Sequence, residues 1–192
     1  MSADEKDGYT PGDVFHGEKR PVYSGTHGFA VNKQAEHMAK VVYEAPHFNE
    51  RETGVRRGSG RDFAKWIFSE EGEQAERLFS TPLELMMDAR LEPNAAIGLH
   101  SHEHTEEVYY VLEGTIRMTT VDASHGEHTV VLGPGDAHLV KLGQAHYGQA
   151  LEQGARFIVV GIRRGSFGGL LFSGSPAPGK PLHQGPGAAP FP

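Results

Sequence analysis

The sequence predicts an all-β fold, a sandwich or barrel, on three observations. From Phe63 onward, short apolar-rich runs of about five to eight residues recur at roughly 8–12-residue spacing. Turn-forming Gly, Pro, Asn and Asp separate them, as in Glu92-Pro93-Asn94 and Gly133-Pro134-Gly135-Asp136. Several runs alternate with a period of two, the repeat of a pleated strand with one buried face. The chain has 192 residues, of which 38% are hydrophobic, enough for one domain with a real core.

The elements follow in chain order. Residues 1–30 are rich in Gly, Pro and charge and read as an arm. A short helix is expected over 32–45, where QAEHMAKVVYEA holds good helix formers, Asn32 stands at the start and Pro46 stops it. NERETGVRRGSGRD, ending at Asp62, reads as a loop or flap. FAKWIFSEE is a strand with Phe63, Lys65 and Ile67 on one face and Ala64, Trp66 and Phe68 on the other. LELMMDARL puts Leu83, Leu85, Met87, Ala89 and Leu91 on one side. IGLHSHEH, EVYYVLEG, TIRMTTV, HTVVLGPGD, AHLVKLGQAH and ARFIVVGIRR complete the strands. FGGLLF, ending at Phe172, is a last strand or an arm reaching another subunit. The expected organisation is therefore an N-terminal arm, helix and loop over 1–60, a barrel over 61–172 and a Pro/Gly-rich tail over 173–192.

Composition narrows the chemistry. Lys and Arg number 18 against 25 Asp and Glu, a net charge of -7, which argues against a nucleic-acid partner. The opening MSADEKDGYT is polar, and no run approaches the roughly 18 apolar residues of a membrane span, so a cytoplasmic protein without membrane contact is expected. Cysteine is absent, so any metal would be held by nitrogen and oxygen.

The informative stretch is NAAIGLHSHEHTEEVYYVLEG, residues 94–114. On a strand, His100 and His102 point to one face, and two imidazoles aimed into a barrel are costly without partners. A metal would satisfy both. Glu107 has the opposite parity, so a tight turn near 103–106 must start a new strand for it to face inward. His104 shares the parity of His100 and His102, leaving His102 and His104 as an alternative pair; the spacing to Glu107 favours the first.

Here the residues resemble the first motif of the cupin superfamily, with His100-x-His102, then four intervening residues before Glu107 and six more before Gly114. Asn94 stands where the motif opens with Gly, and Asn tolerates the left-handed backbone best after Gly. Gly135, Gly143 and His146 match the second motif, in which Lys141 replaces a Pro and Ala150 an Asn. The resemblance implies a double-stranded β-helix, or jelly roll, often a homodimer. It also implies one divalent transition metal (Fe, Ni, Mn, Cu, Co or Zn) on His100, His102, Glu107 and His146.

Other residues carry weaker signals. One of Tyr109 and Tyr110 must face inward, as a filler or as a catalytic acid/base beside Glu107. Arg90, Arg117, Lys65 and Trp66 are candidates for the cavity lining, and Arg56, Arg57 and Arg61 for an anion clamp. His138 reads as a surface residue, as do His125 and His128. The ligand set leads to a mononuclear dioxygenase acting on a small organic substrate, for instance a quercetinase-like reaction. A redox-silent lyase, isomerase or decarboxylase is the alternative, and a non-catalytic small-molecule-binding cupin the third reading.

Overall fold

A computed structural model describes residues 8–11, 34–45, 56–69, 81–124 and 126–164. The expected arm, apart from residues 8–11, the FGGLLF run and the tail lie outside these residues. Nine strands form one folded-over sheet among them: β1 (Thr10–Pro11), β2 (Ala39–Glu44), β3 (Arg61–Ser69), β4 (Leu83–Leu91), β5 (Ala96–Ser101), β6 (Thr105–Val121), β7 (Glu127–Leu132), β8 (Ala137–Val140) and β9 (Ala145–Arg163).

The two long strands do the folding over. β6 and β9 pair twice, through Thr105–Gly114 with Ala155–Arg163 and again through Ile116–Val121 with Ala145–Ala150. Bulges at Val111/Glu113 and Gly114/Ile116 separate the two registers. The bend needs glycine: Gly114 has φ +70°, and a Cβ there would lie 2.1 Å from the Gly154 carbonyl oxygen. One half of the sheet runs β1-β2-β3-β4-β9-β6, with β8 on β6. The other runs through β5, the first part of β9, the second part of β6, and β7. This is the jelly-roll barrel that the strand pattern predicts. The runs EVYYVLEG and TIRMTTV form one bent strand, β6, rather than two.

The helix expected over 32–45 is not formed. Only a single 3-10 turn, Ala35–His37, precedes strand β2. Val41, Val42 and Tyr43 favour a strand, and Ala39, Val41 and Tyr43 alternate into the core, so pairing with β3 outweighs local helix propensity. The sheet therefore begins ahead of residue 61. Trp66, Phe157, Leu91, Ile116, Met118 and Val111 fill the space between the halves. Asn94 takes φ +62°, the left-handed conformation its replacement of Gly requires.

Candidate metal centre

The donors come from three strands and one turn. His100 on β5 and His146 on β9 stand directly opposite each other in register, so both rings leave the same face. Thr120 on β6 occupies the next place in that row. Glu107 comes from the other half of the barrel, two residues into β6, after the turn that follows β5. It faces inward with Tyr109 and Val111, as the break in parity requires. His102 lies just past the end of β5 and reaches the same point.

One ligand atom from each of His100, His102, Glu107 and His146 lies within 4.8 Å of all the others. His146 Nε2 is 3.1 Å and His102 Nε2 3.4 Å from the Glu107 carboxylate. His100 Nδ1 donates to the Gly98 carbonyl at 2.8 Å, which leaves the Nε2 lone pair for a cation. Burial, with the charges of His146 and His102, holds the His100 imidazole well below its usual range and keeps it neutral. Burial alone would raise the Glu107 carboxyl, but hydrogen bonds and charge from His102 and His146 outweigh it. Glu107 is thus held well below the usual carboxylate range. Three imidazoles and one carboxylate converging on one point fit a divalent transition metal.

Tyr109 completes the cluster. Its hydroxyl donates to Glu107 Oε2 at 2.8 Å and lies 3.1 Å from His146 Nε2. Burial and the neighbouring Glu107 charge push the phenol well above its ordinary value, so it is a fixed donor. Tyr110 is the correction: it is 45% exposed on the outer face of β6 and does not reach the cavity. Successive strand residues face opposite ways, so Tyr109 takes the inward place. His104 is turned to solvent beside Glu103, with 76% of its side chain exposed, and the pair at the centre is His100 and His102.

His100, His102 and Glu107 form part of the wall of a cavity of about 280 Å³, lined also by Tyr43, Asp62, Trp66, Met87, Phe157 and Val159. Of the four residues named for the lining, Trp66 is there, while Lys65 pairs with Asp88 and Arg90 and Arg117 are exposed. Arg61 and Arg56 are not a clamp over the site; they pair with Glu92 and Glu127. His138 is half-buried rather than on the surface, registered with Tyr109 on the inner face, and burial lowers its imidazole. Asp62 escaped the sequence reading, although extending the Ala64/Trp66 face one step back along β3 would have found it.

Residues 87–161 match the cupin domain family. The barrel belongs to the cupin superfamily. Over 74 residues the chain is 36% identical to oxalate decarboxylase from Bacillus subtilis strain 168, covering 38% of this chain and 19% of that protein. The chain thus spans about a fifth of the length of that relative. Among solved structures, a mutant of the Bacillus subtilis oxalate decarboxylase aligns at 28% identity with a TM-score of 0.46, over 59% of this chain and 28% of that one. A structure described as a predicted oxalate decarboxylase from Thermotoga maritima aligns at 25% identity with a TM-score of 0.43, over 59% of this chain and 90% of that one.

Proposed function

We propose that this cupin is a metal-dependent lyase that decarboxylates a small organic acid. The observation that carries the reading is the convergence of His100, His102, Glu107 and His146, the first three of which line a largely apolar cavity. The 36% identity to an oxalate decarboxylase favours decarboxylation over the dioxygenation that the ligand set alone suggested. A divalent ion held by these four side chains supplies Lewis acidity toward a substrate oxygen. A metal that takes six ligands keeps two places open beyond the four protein donors.

The chain's own residues do the rest. His100, oriented by the Gly98 carbonyl, and His146 hold the donor geometry from one half of the barrel. Glu107 brings the single negative charge, and Tyr109 fixes the carboxylate by donating to Oε2. Trp66, Met87, Phe157 and Val159 exclude water from the substrate body, which strengthens every electrostatic contact at the donors.

The test measures CO2 release and O2 uptake together, with the metal-loaded chain and a panel of small carboxylic acids. CO2 without stoichiometric O2 uptake supports the lyase. O2 consumption matched to product would replace it with the dioxygenase, which uses the same four donors.

A further inference from the structure

Asp62 stands on the inward face of β3, in register with Tyr43 on β2 and Leu91 on β4. Asp62 is 6% exposed and lines the same cavity as His100, His102 and Glu107. Oδ1 has no hydrogen-bond partner among the described residues. Buried polar atoms are rarely left in that condition, because desolvation is then uncompensated. In a ligand cavity the missing partner is one that arrives with the ligand.

The remaining wall sets the kind of ligand. Tyr43, Trp66, Met87, Phe157 and Val159 present rings and alkyl groups, and no Lys or Arg lines the cavity among the described residues. A two-carbon dianion such as oxalate would leave most of this apolar wall uncovered. Its second carboxylate would meet an acid rather than a cation. Burial pushes the Asp62 carboxyl up to about 7, so near neutrality a large share of it is an un-ionised acid with an O–H to give.

We infer that Asp62 determines specificity for a ligand of the hydroxyaryl-carboxylate class. Its carboxylate head would face the metal that the four donors would hold, its ring would lie against the apolar wall, and its hydroxyl would hydrogen-bond Asp62. The inference rests on the reading of the four donors as a metal centre. It deepens that reading by naming the acid as a monocarboxylate with an apolar body.

Calorimetric titration of the full chain loaded with Mn2+ tests it, with benzoate, 3-hydroxybenzoate, 4-hydroxybenzoate and oxalate as probes. At least one hydroxybenzoate is expected to bind roughly tenfold or more tighter than benzoate, and oxalate no tighter than benzoate. Asp62→Leu is expected to abolish the hydroxyl preference while leaving benzoate affinity and bound manganese as in the parent. Asp62→Asn, which keeps a donor, is expected to retain it. If Asp62→Leu does not fold, Asp62→Ala gives the same comparison. Equal affinity for benzoate and both hydroxybenzoates overturns the inference. So does a preference that survives in the apolar variant, or oxalate binding tightest. Manganese content of the same samples separates the two levels: a parent chain that takes up no manganese overturns the metal-centred reading itself, and this inference with it.

Discussion

His100 and His146 face each other across the β5–β9 pairing, their ring centroids 4.0 Å apart. Both rings are buried, so turning either one away would strand an imidazole without a partner. The backbone register of two strands thus sets the spacing of two donors before any ion binds.

His100→Ala and His146→Ala are each expected to empty the centre. Elemental analysis of the untagged parent should find about one transition-metal ion per chain, and less than roughly a tenth of that in either variant. Retention of stoichiometric metal in both would place the binding site elsewhere.

The phenol at 109 is expected to matter where the one at 110 does not. Tyr109→Phe removes a donor from Glu107 Oε2, and metal affinity should fall roughly 10- to 100-fold in competition with a chelator. Tyr110→Phe changes an exposed outer-face group and should leave affinity at the parent value.

Asp62 gives stability a dependence on pH. Its folded-state value of about 7 lies above the ordinary 3.8, so its contribution is fully present below pH 4 and lost as pH rises toward 7. Asp62→Asn removes that titration. Its stability advantage over the parent should grow between about pH 4 and 7 and then level off, approaching on the order of 4 kcal/mol. Chemical denaturation at several pH values measures it, and a constant difference across the range would contradict the burial argument.

Acid should loosen the metal-free centre by a separate route. His100 is held neutral in the folded chain, well below its usual range. The unfolded chain takes up its proton first as pH drops below about 6.5, which favours unfolding. His100→Gln is expected to flatten the loss of thermal stability between about pH 6.5 and 5, read by calorimetry on metal-free protein.

Gly114→Ala is expected to cost about 2–4 kcal/mol in denaturant unfolding. The added Cβ would lie 2.1 Å from the Gly154 carbonyl oxygen at a φ of +70°, where both the backbone and the opposite strand would have to move. A cost below about 1 kcal/mol would mean that the bend in β6 tolerates a side chain.

The donors were legible because a metal demands particular residue types at strand spacing, and the four residues sit in motifs that chain order preserves. The sharp turn before Glu107 was legible too, from the parity change between His102 and Glu107. Residues 39–44 were not. AKVVYE offers Ala, Lys and Glu to a helix and Val and Tyr to a strand, and only pairing with β3 decides between them. The far wall was equally hidden. Alternation puts Asp62 on one face with Ala64 and Trp66, but that this face rather than the one with Lys65 meets the cavity depends on packing among β2, β3 and β4 that no local pattern encodes. His138 was misplaced for the same reason, since its inward face follows from standing opposite Tyr109.

The family match starts at Met87, within β4, whereas Tyr43, Asp62 and Trp66 come from strands that precede it. The cavity is therefore a composite, one side written downstream and the other upstream. Substitutions in β2 and β3 can reshape the berth for a guest molecule while His100, His102, Glu107 and His146 keep their places. A chimera exchanging residues 39–69 for the matching strands of another barrel would trade guests and leave the donor quartet intact, so the two properties can diverge independently along one lineage.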